Sequence, residues 1–371
     1  MKKILALLLC CVLLVSLAAC TQPNVTVEKT DKESEPTATE DTQQKTEDTT
    51  TVSKEENTVE ENKTADNVDT NDSIIKIKNV DREIEFDKKP EKVVCLSFSA
   101  AETLAALGVS DRVIGVLRHG NTNEDILPKY QDAVAAIPDI HEVLKMEDAS
   151  APPVLENLVA LEPDMLIIDN FLFNVEGFGT PEDYEKANIK LYVTEATAQP
   201  NPTLESTYQD VENLGKIFRV EDKSDALIKE CKERVDAVQE KIKNAEPRKV
   251  MLLSIMKDDK ALVAGAGSLA TDLTEKAGGK NVFDDLANPF AVVTFEEIID
   301  RNPEAIAIFV YGDNTLEAVS GQVKDKHEFS KITAVENELY IPIKLLASRA
   351  SIQNVDAIEG LAKALYPDLF K

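Results

Sequence analysis

The chain has 371 residues, and its 68 acidic residues against 41 lysines and arginines give it a formal net charge of −27. Residues 74–371 carry −19 of this charge, which argues against nucleic acid or anionic lipid as the partner of the folded part. The length of that part favours two domains over one.

The first twenty residues have the pattern of a processing signal. Lys2 and Lys3 precede an apolar stretch over 4–17, which is too short for a conventional transmembrane helix. The stretch ends in Leu17-Ala18-Ala19-Cys20, which resembles a bacterial lipobox, a site that is cleaved before the cysteine that then carries a diacylglycerol. We therefore expect a lipoprotein signal peptide over 1–20 and lipidation of Cys20. An ordinary secretory signal with a chance cysteine is the alternative.

Residues 21–73 differ in composition from the rest of the chain. They hold fifteen acids against five bases and no aromatic residue. Such a segment cannot bury enough apolar surface to offset the entropy lost on ordering. We expect an acidic, disordered tether whose ends lie about 40 Å apart as a flexible coil.

From residue 74 onward, apolar strands and amphipathic helices alternate, which is typical of an α/β fold with a largely parallel sheet. Only Cys95 and Cys231 fall in this part, so no disulfide framework is expected, and Cys95 lies in an apolar run typical of a core residue. The first half, 74–221, is predicted to contain a strand pair over 74–86, strands over 93–96, 113–116, 165–168 and 189–193, and helices over 100–107 and 206–218.

A longer helix is predicted over 222–245, between the two halves. Its apolar stripe consists of Leu227, Cys231, Val235, Val238 and Ile242. At 1.5 Å per residue it would be about 36 Å long, enough to join two lobes as a stiff hinge. The second half, 246–371, is predicted to contain strands over 250–255, 306–310 and 339–343 and helices over 269–277, 295–301 and 352–366.

One pattern occurs twice, 140 positions apart, over 155–168 and 295–308. Each copy predicts a short helix with an acid near its start. A proline followed by an acid then ends the helix, and a buried strand comes after them. The matched pairs are Glu156 and Glu296, Pro163 and Pro303, and Asp164 and Glu304. Because the spacing far exceeds a solenoid period, we expect two similar lobes that enclose a ligand between them.

Three further segments, 89–97, 101–109 and 277–283, complete a resemblance to a known family. From about Val80 to Lys371 the chain resembles the metal-chelate class of bacterial substrate-binding lipoproteins that serve ABC importers. The resemblance implies two Rossmann-like lobes joined by a single long backbone helix. It implies a monomer that needs no cofactor and delivers an iron chelate to an ABC permease. A ferric siderophore is the expected ligand, with haem and cobalamin as alternatives.

In that family a surface glutamate on each lobe docks into arginine pockets of the permease. Glu156 and Glu296 match those positions, and each is predicted in the first turn of a helix, where the helix dipole favours an exposed anion. The alternative is that both residues are only helix-start acids.

Ligands of open α/β sheets bind outside the carboxyl ends of the strands. The residues just past the predicted strand ends give the expected ligand-binding set: Phe98, Ser99, Arg118, His119, Asn170, Phe171, Tyr311 and Arg349. Arginine and tyrosine suit an anionic or phenolate-bearing chelate, with surface salt bridges as the alternative. Three histidines are too few for a bare-metal site, so no metal ligands are predicted, although His119 could take an axial position on chelated iron.

No catalytic residues are predicted, and we do not expect an enzyme. The segment 265–270 matches the loose dinucleotide fingerprint but follows only the short run 261–264. We expect it instead to be a glycine turn that brings helix N–H groups to the cleft. A surface adhesin or a lipid-anchored α/β enzyme are alternatives of another class. The expected location is the extracytoplasmic face of the cell membrane.

Overall fold

The computed structural model describes residues 73–146, 148 and 151–371. The expected signal peptide, Cys20 and the expected tether up to residue 72 lie outside these residues. Within them, no helix has both the length and the apolar character that crossing a membrane requires.

An antiparallel hairpin, β1 (Ile75–Asn79) and β2 (Arg82–Phe86), comes first, as the sequence predicts. Its inward residues Ile77 and Ile84 pack into the core of the first lobe. The Asn79 amide bonds both the N–H and the carbonyl of Val193, at 2.8 Å each, which fastens the hairpin to the edge of the first sheet.

The first lobe contains a four-stranded, wholly parallel sheet in the order β4-β3-β5-β6. Its strands are β3 (Val93–Cys95), β4 (Val113–Val116), β5 (Met165–Ile168) and β6 (Lys190–Val193). Its helices are α1 (Phe98–Ala106), α2 (Gln131–Ala135), α3 (Ile140–Leu144), α4 (Leu155–Ala160), α5 (Pro181–Lys186) and α6 (Glu195–Ala198). Every residue of β5 is buried, as expected of a parallel strand covered on both faces. Cys95 is also fully buried, in agreement with its expected core position.

Two helices, α7 (Leu204–Ile217) and α8 (Glu221–Ile242), connect the lobes. On α8, Leu227 and Ile228 contact the cores of both lobes, whereas the C-terminal part of its apolar stripe belongs to the second core. The sequence predicts only α8 as the connector. However, α7 also contributes to both cores, through Leu204 to the second and through Leu214 to the first.

The second lobe has a mixed six-stranded sheet in the order β10-β8-β7-β11-β12, with β9 also paired to β7. Its strands are β7 (Arg248–Lys257), β8 (Lys260–Ala264), β9 (Gly279–Asn281), β10 (Phe290–Thr294), β11 (Ala305–Val310) and β12 (Tyr340–Lys344). Its helices are α9 (Leu269–Lys276), α10 (Phe295–Arg301), α11 (Leu316–Lys324), α12 (Thr333–Glu336) and α13 (Asn354–Leu365).

The start of the second lobe corrects the sequence-based expectation that β7 leads directly into a helix. After β7 the chain turns through Asp258, whose φ is 57°, and returns as antiparallel β8. The short run 261–264 is therefore a strand, and β10 pairs antiparallel with it. Helix α9 follows β8, so this part of the sheet is not built from parallel β–α units.

The two copies of the doubled pattern fold alike, as α4 with β5 and as α10 with β11. Glu162 (φ 49°) and Asn302 (φ 44°), each placed before the proline, adopt left-handed geometry and end the helices. At the matched inward positions, Leu158 and Ile298 are fully buried. The sequence bounds of β5 and α10 are confirmed.

The acid after each proline accepts hydrogen bonds from the start of the neighbouring strand, which links the strand that follows the acid to that neighbour. Asp164 accepts the backbone N–H groups of Glu91 (2.7 Å) and Lys92 (3.0 Å) at the start of β3. Glu304 accepts the N–H of Lys249 (2.8 Å) at the start of β7. Since β3 pairs with β5 as β7 pairs with β11, the two acids have the same structural role in the two sheets.

Candidate functional site

The carboxyl ends of the first sheet bring several of the predicted ligand residues together. The Arg118 guanidinium lies 5.5 Å from the centre of the Phe98 ring. The His119 and Phe171 rings meet edge to face, with centroids 6.1 Å apart. These contacts follow from the sheet order, because β4, β3 and β5 are adjacent and their carboxyl ends lie at one edge.

Arg349 joins this group from the second lobe, past the end of β12. The residue is exposed, and its positive charge influences the pKa values of both His119 and Asp169. Within the described part of the chain, its guanidinium has no hydrogen bond or ion pair. Arg349 is therefore a cation at the cleft whose donors are available to a ligand.

The guanidinium of Arg118, in contrast, is already bonded to residues of the first lobe. It donates to Asn123 Oδ1 at 2.8 Å and to the carbonyls of Val134 (3.4 Å) and Ile137 (3.3 Å). It also lies 3.7 Å from the Asp139 carboxylate. These contacts make Arg118 a support for the wall more than a free ligand donor.

Phe98, Ser99 and Asn170 are also held by local structure. Phe98 and Ser99 form the buried first turn of α1, two residues earlier than the helix start predicted from sequence. The Ser99 hydroxyl lies 3.2 Å from that of Ser97. The Asn170 backbone N–H donates to Thr197 Oγ1 at 2.9 Å, and its side chain is half-buried.

His119 has a left-handed backbone (φ 49°) and is exposed, with one edge of its ring against Phe171. Reduced solvation, and then the charges of Arg349 and His141, lower its pKa from 6.5 to about 4. The imidazole is therefore neutral near neutral pH. A neutral ring keeps one nitrogen lone pair free to accept a hydrogen bond or to approach a metal.

Asp169 is a member of this group that the sequence analysis missed. It is the first residue after β5 and is only 6% exposed, and its carboxylate accepts the Thr194 hydroxyl at 2.9 Å. Burial raises its pKa, and the charge of Arg349 opposes that rise. The signal was present in the sequence, since Asp169 directly follows the predicted strand 165–168.

Tyr311 lies on the second lobe, directly after β11, and is half-buried against that lobe's core. Its backbone exchanges hydrogen bonds with Asn314. Among the contacts of the described residues, none joins Tyr311 to the first-lobe group. The structure thus gathers His119, Phe171 and Arg349 and leaves Tyr311 on the second lobe.

The glycine-rich segment 265–268 is a tight turn before α9, and its first two N–H groups are used within the second lobe. The expectation that the N–H groups of α9 itself reach the cleft stays a prediction. The N–H groups of Gly265 and Ala266 bond the carbonyls of Pro289 (3.1 Å) and Leu286 (2.7 Å). A Cβ atom on Gly265 would lie 2.3 Å from the Leu286 oxygen. The glycine allows close backbone packing, and these N–H groups are not offered to a ligand.

Glu156 and Glu296 occupy matched, exposed positions in the first turns of α4 and α10. Neither carboxylate has a partner among the described residues. In α10 the capping box is formed by Thr294 and Glu297, and α4 has no side-chain cap. Neither glutamate therefore forms a cap, and both are acids in the first turn of a helix, as the helix-start alternative also predicts.

Both glutamates also lie on helices that begin at the carboxyl ends of their sheets, the end at which we expect the cleft. The first N–H of α4 donates to Gly177, in the loop that follows β5, at 2.9 Å. The first N–H of α10 donates to Asp259, in the turn that follows β7, at 3.3 Å. Each helix therefore begins at the end of its sheet where the cleft is expected.

The described residues contain no group of three or more His, Cys, Asp and Glu side chains arranged to hold a metal ion. The ligating chemistry of this cleft is instead that of one exposed arginine, one neutral imidazole and aromatic rings. Such a set suits an organic anion or a chelate better than a bare cation.

Comparison with known proteins gives several relatives of this chain. The uncharacterized ABC transporter substrate-binding lipoprotein YvrC of Bacillus subtilis is 25% identical, covering 78% of this chain and 84% of the relative. The petrobactin-binding protein YclQ of the same organism is 26% identical, over 67% and 73%. A vitamin B12-binding protein of Vibrio parahaemolyticus is 22% identical, over 58% and 70%.

The fold is shared with solved structures. A periplasmic binding protein from Veillonella parvula superposes with a TM-score of 0.69 at 21% identity, covering 79% of this chain and 98% of that protein. A protein-family model described as periplasmic binding protein matches residues 93–341, about two-thirds of the chain. These residues include the first sheet, the second sheet up to the start of β12, the connecting helices and both copies of the doubled pattern. The chain belongs to this family of periplasmic binding proteins.

Proposed function

We propose that this chain is the lipid-anchored, extracytoplasmic binding component of an ABC importer, acting as a monomer that captures a metal chelate and delivers it to the permease. The observation that carries the proposal is the pair of unpartnered carboxylates, Glu156 and Glu296, at matched positions near the carboxyl ends of the two sheets. Two such points suit a partner that straddles the cleft with a basic pocket over each lobe. The relative named as a substrate-binding lipoprotein supports the same role.

A ferric siderophore is the ligand that the cleft chemistry favours. The free guanidinium of Arg349 suits catecholate, hydroxamate or carboxylate oxygens, which it can bind through paired hydrogen bonds. The neutral ring of His119 can approach a chelated iron without charge repulsion. Phe171, packed against His119, offers an aromatic face to the organic part. The petrobactin-binding relative supports this class.

Cobalamin and haem are the second candidates. The vitamin B12-binding relative supports cobalamin, and haem carries carboxylates that Arg349 could bind. Under either assignment Asn170 and Tyr311 would contact the ligand from the two sides of the cleft, while Phe98, Ser99 and Arg118 shape the wall. We propose no resident cofactor and no catalysis.

The test is a binding screen of the purified chain against ferric catecholate, hydroxamate and carboxylate siderophores, haemin and cobalamin. Native mass spectrometry gives the stoichiometry. Tyrosine emission, corrected for ligand absorbance, gives the affinity without interference from tryptophan, since the chain has seven tyrosines and no tryptophan. We expect one ferric siderophore to bind one-to-one and to be released unchanged.

Two arginine variants sharpen the screen. Arg349→Gln should weaken chelate binding at least about tenfold, because a charged hydrogen bond contributes about 1.5–3 kcal/mol. Arg112→Gln is the matched control, because Arg112 pairs with Glu91 and Asp111 near the opposite edge of the sheet. Selective binding of haemin or cobalamin would favour haem or cobalamin over a siderophore as the ligand. Binding of none would favour an adhesin, and a chemically altered ligand would favour an enzyme.

A further inference from the structure

The segment 345–354 belongs to the second lobe by sequence, since it directly follows β12, but two of its buried residues lie in the first-lobe core. Leu346 and Ile352, three residues on either side of Arg349, are each 5% exposed and belong to the first-lobe core. Ala350, beside Arg349, belongs to the second-lobe core. The exposed arginine is therefore carried by a turn that packs on both lobes and reaches the lobe that holds His119 through Leu346 and Ile352.

Asn354 ties this turn to the connecting helix α7. Its side-chain amide donates to the carbonyls of Ala347 (2.8 Å) and Arg349 (2.7 Å). Its carbonyl oxygen accepts the Thr207 hydroxyl at 2.8 Å. Asn354 is fully buried, so each of these hydrogen bonds would be costly to leave unmade.

The Gln353 side chain forms a second set of hydrogen bonds, which connect the turn to α1 and to the loop that follows β4. Its amide donates to Glu102 Oε2 and to the carbonyl of Asp125, both at 2.8 Å. The other Glu102 oxygen accepts the Leu127 N–H at 2.7 Å. Glu102 is fully buried in the first lobe, so the contact joins residues of the two lobes away from solvent.

We propose that Asn354, assisted by Gln353, is a positioning residue that holds Arg349 on the first lobe beside His119 and Asp169. The anion-binding side of the cleft is then one preassembled half-site, although its arginine comes from the other half of the sequence. A ligand landing there does not have to order the arginine first, which lowers the entropy cost of binding. The ligand role of Arg349 rests on the proposed function, whereas its placement does not.

The placement can be measured without a ligand, through the charge that Arg349 exerts on His119. The chain has three histidines, so histidine side-chain NMR of the full chain gives a simple pH titration. Arg349→Gln should shift the His119 pKa upward by on the order of half a pH unit, the effect of one unit charge several ångströms away in water. The other charge that acts on His119, that of His141, is unaffected by this substitution.

Asn354→Ala should shift the His119 pKa in the same direction, because the turn no longer holds the arginine in place. Adding Asn354→Ala to the Arg349→Gln variant should not shift the His119 pKa further, because no arginine charge remains to be displaced. Thr207→Val should give a smaller upward shift, since it removes only the donor to Asn354. If Asn354→Ala does not fold, Thr207→Val carries the test by itself.

Asn281→Ala is the matched control for a purely structural loss. Asn281 is equally buried, and its amide donates to Ala264 and Thr271 at 2.9 Å each, within the second lobe. The Asn281→Ala substitution should destabilise the chain to a similar extent as Asn354→Ala, and it should leave the His119 pKa unchanged. The proposal is overturned if Asn281→Ala moves that pKa as much as Asn354→Ala. It is also overturned if Arg349→Gln moves the pKa and the Asn354 and Thr207 variants leave it at the wild-type value.

These outcomes are separate from the proposed function. A chain that shows the pKa shifts but binds none of the screened chelates would refute the function and keep the positioning role. A chain that binds a siderophore but shows no shift in the His119 pKa would support the function and refute the positioning role.

Discussion

Replacing Glu156 and Glu296 together with arginine is expected to separate ligand capture from delivery. Both side chains are exposed and without partners in the described part of the chain, so the free energy of unfolding should change by at most about 0.5 kcal/mol. At the permease, each substitution removes an attraction and adds a repulsion. Close interfacial charge pairs couple by about 1.5–7 kcal/mol. A modest ~2 kcal/mol per site weakens docking about 30-fold for each variant and nearly a thousandfold for both.

The assay pairs chelate affinity of the purified protein with uptake of radiolabelled chelate by cells. Affinity should stay within about twofold, because the glutamates lie on helices outside the His119 and Arg349 group, and interface mutations away from a pocket leave its contacts intact. Uptake should fall sharply in the double variant and partly in each single one. Glu185→Arg with Asp325→Arg is the matched control, since it changes two exposed acids, one on each lobe and both at other helices, by the same charge.

Normal uptake by a folded and anchored double variant would refute the docking assignment. A loss of chelate affinity would instead place these acids in the pocket. If the control pair lowers uptake equally, the effect comes from net charge and not from position.

Three further outcomes are expected. Cys20→Ala should leave the membrane fraction or remain unprocessed, and continued labelling by a lipid precursor would exclude the lipobox. X-ray scattering should show only a small contraction on binding, because α7, α8 and the turn over 345–354 all restrain the lobes; a large contraction would contradict this. Since the folded-state pKa of His119 lies below its ordinary value, stability should fall as the pH drops from 6.5 to about 4. Urea unfolding of His119→Gln should show a flatter pH dependence over that range, and an unchanged slope would contradict it.

The elements best predicted from sequence are those whose limits are set by neighbouring residues. Strand β5 is an apolar run that begins after Pro163-Asp164, and helix α10 ends before Pro303. In both places a proline and a left-handed residue fix the boundary locally, so the pattern and the structure agree. The alternation of strands and helices likewise indicates the α/β class, because the apolar period is a local property.

The pairing of β8 and β10 is a different case. The run 261–264 is short and apolar, and nothing in it distinguishes a strand from the approach to a helix. It becomes a strand because Asp258 adopts a left-handed turn and because β7 on one side and β10 on the other supply hydrogen-bond partners. Those partners are tertiary, so the mixed sheet was not predictable from the local pattern.

The cleft shows the same division between local and long-range information. Strand ends indicate Arg118 and Arg349 equally, yet the structure ties up one guanidinium and leaves the other free. What holds Arg349 near His119 is an asparagine bonded to a threonine 147 positions away in sequence. A single sequence carries no sign of that pairing, because asparagine before a helix is usual whether or not it has a distant partner.

Four acids are matched between the two copies of the doubled pattern, and the structure separates them by what their oxygens already bind. Asp164 and Glu304 accept backbone N–H groups at the strand starts, so their charge is used in holding each sheet together. Glu156 and Glu296 bind nothing in the described chain, although each could have served as a cap. Folding alone explains the first pair, because removing either acid would leave N–H groups without an acceptor. For the second pair, folding supplies only the helix dipole, which favours an acid in the first turn but gives the carboxylate no partner. The proposed basic pockets of a permease would supply that partner.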